Sequence, residues 1–248
     1  MKHRLLVSLA IFITALVLLA IVQFLLIKYN GTPVPVPNIP RGPETYGNGP
    51  ALTYVVLGDS TAVGQGGDYD KAIARGTARH LASNRQVTLH NFAISGARSA
   101  DVLRSQLPEA LKLRPDVVLL DIAANDVTHL TPVNKVVANI QDTVAALQSS
   151  NPAVRIVVTG APQMGSVPRL PQPLRYAAKL RTNDINQALA KTIPAGRVVL
   201  APLAAKTGPI FANNHKLFAA DKFHPNTAGY QVWIPVLNDS LDEVMAKN

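Results

Sequence analysis

The chain lacks cysteine altogether, and charged side chains make up only 16% of its 248 residues. The absence of cysteine excludes a disulfide framework, a thiolate zinc site, a cysteine nucleophile and a lipid-modified cysteine. Hydrophobic residues reach 48% of the chain, and this composition excludes a disordered tail or a coiled coil. The chain is therefore expected to be globular or linked to a membrane.

Acidic residues are scarce, with 15 Asp and Glu against 24 Lys and Arg, so the net charge is +9. Such an excess is found in nucleic-acid binders, but that function needs a basic helix or a platform of aromatic side chains. The sequence has neither, and Lys2, Arg4 and Lys28 simply flank its first apolar block. Nucleic acid is therefore not an expected partner.

The first apolar block covers residues 5–27, and its only polar members are Ser8, Thr14 and Gln23. A helix of this length extends about 34 Å, enough to cross a hydrocarbon core of about 30 Å. A cleaved signal peptide has a shorter apolar region, followed by a cleavage site between small residues. Neither is found, so residues 1–28 are predicted to be a single-span membrane anchor, with secretion after cleavage as the alternative.

Basic residues lie on both sides of this span. Lys2 and Arg4 precede it, and Lys28 and Arg41 follow it. Together with the terminal amine, they give a small positive-inside bias that favours a cytoplasmic N-terminus. The remainder of the chain is then expected outside the cytoplasm.

Residues 29–50 contain six prolines and four glycines, which block a helix or a central strand. This segment is predicted to be a stiff linker that holds the following domain off the bilayer. The domain itself is predicted to cover residues 51–248, long enough to bury one substantial core.

Short apolar runs alternate with helical patterns along this domain. The strands are predicted at residues 53–57, 87–93, 116–123, 154–159 and 197–200. The clearest helices are predicted over residues 133–147, with Thr131 as cap and Pro132 in the first turn, and over 174–189, between Pro173 and the pair Pro194 and Gly196. Alternation of this kind predicts a three-layer α/β/α sandwich with a mostly parallel five-stranded sheet.

Two segments depart from this regular pattern. Pro235 falls inside the last apolar stripe, residues 227–246, so that helix is expected to kink or restart there. Residues 161–173 hold too many prolines for regular structure and follow directly from a strand. Because loops after the carboxyl ends of parallel strands line the ligand crevice, this one is either a pocket wall or a plain connection.

Polar residues with catalytic chemistry follow four of the five predicted strands. They are Gly58-Asp59-Ser60 after the first strand, Ser95-Gly96 after the second, Asn125-Asp126 after the third, and Asp221 with His224 in the long loop after the fifth. Parallel strands bring all four groups to one edge of the sheet. A hydroxyl, an imidazole, a carboxylate and amide donors are the groups needed for acyl transfer through a serine nucleophile.

These residues resemble the conserved blocks of the SGNH, or GDSL, hydrolases. Gly58-Asp59-Ser60 is similar to the nucleophile block, Gly96 to the glycine of the second block, Asn125 to the asparagine of the third, and Asp221 through Pro225 to the D-x-x-H-P block. The resemblance runs from about residue 53 to the final helix and keeps the family order. It implies a flavodoxin-like fold and esterase or lipase activity.

The resemblance also implies roles for the residues of the site. Ser60 is the expected nucleophile, His224 its general base and Asp221 the carboxylate that orients the imidazole. Backbone N–H groups of Ser60 and Gly96 and the side chain of Asn125 are the expected oxyanion hole. The sequence departs from the family at Ala123, where the third block has glycine, and the added methyl is expected to tilt the turn that carries Asn125.

The other polar residues near these blocks have simpler expected roles. Asp59 is expected to accept hydrogen bonds in its turn, and His129 is the only further histidine expected near the pocket. A metal site at Asp121, Asp126 and His129 is not expected, because no metal-binding loop is present, and no cofactor is expected either. Glycines at 64, 66 and 67 are expected to let their loop pass close to substrate. The final block also suits the start of a helix, with Pro225 in its first turn and Asp221 as a local cap.

The resulting hypothesis is a membrane-anchored, extracytoplasmic serine esterase that acts on a small-molecule, lipid or glycan ester. Chain length and alcohol are not determined by the sequence, although short acyl groups are compatible with it. Acyl transfer to envelope glycans uses the same triad and is one alternative. A non-catalytic envelope-binding module is the other, for which Ala123 is the supporting feature.

Overall fold

A computed structural model describes residues 2–40, 42–193 and 196–247 of the chain. Arg41 and Pro194, which entered the sequence analysis, lie outside the described residues. The N-terminal helix α1 covers Lys2–Tyr29. Within the described part of the chain, its segment Leu6–Tyr29 is the one helix whose length and composition would allow it to cross a membrane.

The remaining elements alternate between strands and helices. The strands are β1 (Glu44–Tyr46), β2 (Ala51–Gly58), β3 (Gln86–Asn91), β4 (Val117–Asp121), β5 (Arg155–Val158) and β6 (Val198–Leu200). The helices are α2 (Ser60–Val63), α3 (Ile73–Leu81), α4 (Ser99–Asp101), α5 (Leu107–Leu113), α6 (Ala124–Thr128), α7 (Val133–Ser150), α8 (Leu174–Thr192), α9 (Leu203–Asn213) and α10 (Thr227–Met245).

The strands form one sheet in the order β1-β3-β2-β4-β5-β6. All neighbours are parallel except β1, which pairs antiparallel with β3. Helices α3, α9 and α10 pack together on one side, and α5, α7 and α8 pack together on the other. The predicted three-layer α/β/α class with a mostly parallel sheet is confirmed.

The central strands are buried because helices cover both faces of the sheet. All five residues of β4 are buried, and so are the last five residues of β2. Continuous apolar runs such as these are typical of parallel strands with no solvent-facing side. They also explain why each predicted parallel strand lies within a few residues of its observed position.

The sheet has one strand more than predicted, because β1 comes from the segment expected to be a linker. Glu44 of β1 accepts hydrogen bonds from Arg75 and from the hydroxyls of Tyr46 and Tyr69. Further back, the N–H of Thr32 donates to Ala220 O at 2.9 Å. The segment therefore packs along the domain, and the sheet begins before residue 51. The sequence did not predict a strand at residues 44–46, because three residues at the edge of a sheet are too few to show a hydrophobic periodicity.

Several local predictions differ from the structure. Pro132, not Thr131, is the N-cap of α7, and the buried Thr131 hydroxyl has no partner among the described residues. Helix α10 continues through Pro235, so the predicted restart does not occur. The stretch after the last strand is not a simple long loop, because it contains α9. That helix holds Gly208 and Pro209, which hid its pattern.

Candidate active site

The site lies at the carboxyl edge of the sheet, beside β2. The chain leaves β2 for β3 on one side and later continues to β4 on the other, so the strand order reverses here. In open α/β sheets, the crevice at such a reversal is the place where ligands bind. Ser60 begins α2 directly after this strand.

A tight turn joins β2 to the nucleophile candidate. Gly58 has a φ of 154°, and a Cβ at this position would collide with the carbonyl of Asp121, so only glycine fits. The side chain of Gln106, from a π-helical turn, forms two hydrogen bonds with the end of this strand. Its Nε2 donates to Gly58 O and its Oε1 accepts from Gly58 N, both at 2.8 Å. The side chain of Asp59 caps α2 by accepting from the N–H of Thr61, as the sequence predicted. The turn holding Ser60 is therefore fixed from two sides.

Ser60, His224 and Asp221 meet in one hydrogen-bonded chain. His224 Nε2 lies 2.9 Å from Ser60 Oγ, and His224 Nδ1 lies 2.5 Å from Asp221 Oδ2. The second oxygen of Asp221 accepts from the backbone N–H groups of Phe223 and His224. This arrangement orients the imidazole so that its Nε2 can take the hydroxyl proton of Ser60.

The Asp221 carboxyl is buried yet remains suited to a negative charge. Burial alone would raise its pKa, but hydrogen bonds from His224 and from the N–H of Phe223, together with the charge of His224, outweigh burial. The pKa of Asp221 is therefore held below its ordinary value. A carboxylate that stays ionised can stabilise the imidazolium that forms during proton transfer.

The Asp221–His224 block does not start a helix. Helix α10 begins at Thr227, and its cap is Asn226, whose side chain accepts from the N–H of Gly229 at 3.0 Å. Pro225 thus precedes the first turn, and Asp221 is not a helix cap. One oxygen of the Asp221 carboxylate contacts the imidazole of His224, and the other accepts from the backbone N–H groups of Phe223 and His224.

The predicted oxyanion donors lie on the neighbouring strand ends. Gly96 has a φ of 83°, and a Cβ there would face open space. Among the described residues, neither the N–H of Ser60 nor that of Gly96 has a hydrogen-bond partner. Asn125 Nδ2 donates to Ala97 O at 3.0 Å, which fixes the amide against the loop that carries Gly96. These N–H groups are available to a ligand.

Ala123 adopts the backbone conformation that glycine usually supplies. Its φ is 99°, in the left-handed region, and its methyl group is buried. The turn that leads to Asn125 is thus formed at some cost in backbone strain. The substitution at this position does not unwind α6, which begins at Ala124.

A small apolar cavity lies beside Ser60 and His224. Its volume is about 30 Å³, and its walls include Pro162, Met164, Phe211, Phe218, Phe223 and Trp233. The proline-rich segment 161–173 is therefore a pocket wall, one of the two roles expected for it. Sequence reasoning missed the walls formed by Phe211, Phe218 and Trp233, because they come from α9, the turn after it and α10, where nothing in the spacing indicates a pocket.

A pair of buried carboxyls lies directly behind the nucleophile. Thr61 Oγ1 is 2.8 Å from Asp59 Oδ1 and 2.8 Å from Asp121 Oδ2. A hydroxyl has one hydrogen, so it can donate to only one of these oxygens, and the other bond requires a protonated carboxyl. Burial, and for Asp59 also the charge of Asp121, raises the pKa of both groups.

The remaining candidates have structural roles. Asp126 accepts from the N–H and hydroxyl of Ser99, so it joins α6 to α4 rather than facing a metal. His129 is exposed and its Nδ1 bonds Asn125 O, so it does not line the small cavity. Gly66 lies against the backbone carbonyl of Pro225 and the Cβ of His224, which places this glycine loop against the histidine segment instead of an open substrate path.

Comparison with known proteins places the chain in a family. The model of the GDSL-like Lipase/Acylhydrolase family matches residues 56–232, so the chain belongs to this family, and the resemblance seen in the sequence is confirmed. A GDSL-like esterase of Mycobacterium tuberculosis is 29% identical over 201 residues, covering 78% of this chain. The aligned part is 62% of that relative, so the chain spans less than two thirds of its length.

Solved structures share the fold. A lipase from a goat rumen metagenome has a TM-score of 0.64 at 18% identity, covering 76% of this chain and 97% of its own. A psychrotrophic esterase from a Pseudoalteromonas species has a TM-score of 0.56 at 20% identity, covering 78% of this chain and 98% of its own. At these identities, the likeness establishes the fold of the domain.

Proposed function

We propose that the chain is a serine esterase that hydrolyses carboxylic esters through an acyl-enzyme, with Ser60, His224 and Asp221 as its triad. The observation that carries this proposal is the continuous hydrogen-bonded chain from Asp221 through His224 to Ser60. Membership of the GDSL-like family supports it.

In the proposed reaction, Ser60 Oγ attacks the ester carbonyl carbon while His224 Nε2 takes the hydroxyl proton. The resulting oxyanion accepts hydrogen bonds from the N–H groups of Ser60 and Gly96 and from the side chain of Asn125. The imidazolium then gives its proton to the departing alcohol, and the C–O bond to the alcohol breaks. Water attacks the acyl-enzyme in the same way, which releases the carboxylic acid and restores Ser60.

The size of the small cavity supports an acyl group of acetyl size. The cavity beside Ser60 and His224 has a volume of about 30 Å³. Four of its walls are buried, so a longer chain would have to displace packed side chains; they are Met164, Phe211, Phe218 and Trp233. The proposed substrates are therefore short acyl esters.

Helix α1 supports the proposal that the enzyme is anchored to a membrane with its domain outside the cytoplasm. The segment Leu6–Tyr29 has a mean hydropathy of 2.9, and most of its side chains are exposed. In water this surface would be unfavourable, whereas a bilayer covers it. Lys2 and Arg4 before the span support a cytoplasmic N-terminus.

The test is hydrolysis of p-nitrophenyl esters by the full chain in detergent. We expect turnover of the acetate that is lost in Ser60→Ala and kept in Ser95→Ala, a serine at the same sheet edge. Turnover should fall at least about tenfold between acetate and hexanoate, because the longer chain does not fit. Met164→Ala is expected to recover part of the hexanoate activity.

Two results would contradict parts of this proposal. Equal turnover of acetate and hexanoate by the unmodified chain would refute the short acyl pocket. Acetate turnover that survives in Ser60→Ala would remove Ser60 from the reaction. If added glycan acceptors divert the acyl group from water, the same triad serves acyl transfer.

A further inference from the structure

A second apolar cavity lies between the end of α1 and the start of α8. Its volume is about 390 Å³. The apolar walls are Ile27, Val127, Leu130, Leu170, Leu174 and Phe223. Nothing in the proposed reaction uses this cavity, which is large enough for an alkyl chain.

The large cavity and the small cavity beside Ser60 share one side chain, that of Phe223. Its ring centroid lies 5.1 Å from that of His224, the residue next to it. A ligand in the large cavity would therefore have its end close to the triad.

Helix α1 and the domain are joined beside this cavity. Gln23 Nε2 donates to Gln172 O at 2.6 Å, and Asn30 Nδ2 donates to Pro168 O at 3.0 Å. The helix between Gln23 and Asn30 is about 10 Å long, so residues 168–172 run alongside that length of α1. The 24 residues of Leu6–Tyr29 extend about 36 Å, only slightly more than a hydrocarbon core of about 30 Å. If α1 spans a bilayer, residues 168–172 reach the boundary between lipid headgroups and chains.

The surface around the cavity has the composition of a membrane contact. Leu130 (71%) and Leu174 (40%) line the cavity and are exposed. Tyr176 (58%) and Leu180 (46%) are exposed on α8, the helix that begins at Leu174, and we call these four residues the membrane face. The adjoining segment 161–183 contains four basic residues and no acidic one. Apolar and aromatic side chains with flanking Arg and Lys are typical of surfaces that lie in a lipid interface.

We propose that the membrane face lies in the outer leaflet and that the large cavity binds the alkyl chain of a membrane-resident ester, whose ester group then reaches Ser60 past Phe223. The proposal rests on the proposed esterase function and on α1 as an anchor. Together with the small acyl pocket, it describes a substrate with a short acyl group on a lipid-soluble alcohol.

Contact with lipid is tested without reference to activity. The full chain with Tyr176→Trp is reconstituted into phosphatidylcholine–phosphatidylglycerol vesicles that contain brominated acyl chains. We expect its fluorescence to be quenched at least about twofold more than that of an Ala153→Trp control, whose exposed site precedes β5 at the opposite edge of the sheet. The native Trp233 is buried and gives the same background in both variants. Equal quenching of the Tyr176→Trp and Ala153→Trp variants would overturn the proposal. A second copy of the chain bound over the membrane face would overturn it as well.

Delivery from the bilayer is tested with matched substitutions. Leu180 and Ile210 are each 46% exposed, but only Leu180 belongs to the membrane face. Leu180→Ser is expected to slow hydrolysis of vesicle-borne hexadecyl acetate about fivefold and to leave soluble p-nitrophenyl acetate unchanged, whereas Ile210→Ser affects neither. Equal effects of the two variants on the vesicle ester would overturn the proposal.

The underlying proposals fail in other ways. A wild-type chain that does not cleave soluble acetate contradicts the esterase function, and one that does not float with the vesicles contradicts the anchor.

Discussion

At the scale of single residues, the site depends on backbone conformations that few side chains adopt. Gly58 must be glycine because any Cβ would meet the carbonyl of Asp121 on the next strand. Ala123 holds a left-handed conformation in spite of its methyl group. The strain at Ala123 leaves α6 formed and Asn125 bonded to Ala97, so the observation that favoured a non-catalytic module loses its force.

The role of Asn125 gives a prediction at this scale. Asn125→Ala should lower the turnover of p-nitrophenyl acetate about 10²- to 10³-fold, because one donor to the oxyanion is lost. Asn139→Ala, which removes a similar side chain on α7, is the control and should retain near-normal turnover. The measurement is steady-state kinetics with a thermal melt of each variant. A normal rate in folded Asn125→Ala would exclude Asn125 from the oxyanion hole.

The residues of the proposed triad could be named from the sequence because their blocks are short and ordered along the chain. Asp221 and His224 are three residues apart, so one turn brings them together. The pairing of Asp59 with Asp121 could not be read in this way. These two residues come from different strand ends, and only the folded sheet brings both to the hydroxyl of Thr61.

At the scale of secondary-structure elements, the carboxyls of Asp59 and Asp121 join the ends of β2 and β4. Their raised pKa means that the folded chain holds a proton that the unfolded chain releases. The stability that these two carboxyls contribute is therefore present at low pH. It declines as the pH rises through their raised pKa values, about 6 for Asp121 and about 7 for Asp59. Asp221 affects stability in the opposite direction. Its pKa is lowered, so the stability that it contributes is present near neutral pH and is lost in acid.

This difference gives a prediction for stability against pH. Between about pH 5 and about pH 8, Asp121→Asn should lose less unfolding free energy than the wild type, by on the order of 2 kcal/mol, because the amide cannot ionise. The control is Asp142→Asn, an exposed position on α7, which should follow the wild type. Denaturant titrations at both pH values measure the change. Parallel pH profiles for Asp121→Asn and the wild type would refute the shared proton.

The two helices that contain an internal proline, α9 and α10, differ from the sequence prediction for one physical reason. The α9 segment contains Gly208 and Pro209, so its local propensity contradicts the helix that tertiary packing produces. In α10, Pro235 is tolerated within a helix whose apolar side packs on α3 and α9. Four of the parallel strands, β2, β4, β5 and β6, are mostly buried apolar runs, which need no tertiary information to recognise. In β3 only Val87 and Leu89 are buried.

At the scale of the whole molecule, the excess of basic residues is consistent with the proposed membrane contact. Lys28 follows the apolar helix, and four basic residues lie in the segment 161–183 next to the membrane face. Residues 44–46 pair with β3 as β1 and Thr32 bonds to Ala220, so these parts of the segment 29–50 pack against the domain. The proposed anchor, cavity and triad therefore belong to one continuous body.

Covalent labelling shows whether Ser60 is an activated nucleophile. The full chain in detergent is incubated with a fluorophosphonate probe, digested, and the labelled peptide is identified by mass spectrometry. We expect one label on Ser60, loss of labelling in Ser60→Ala and strong slowing in Asp221→Asn, where the imidazole is no longer oriented. Folded chain that takes up no label, or label that persists in Ser60→Ala, would contradict the account.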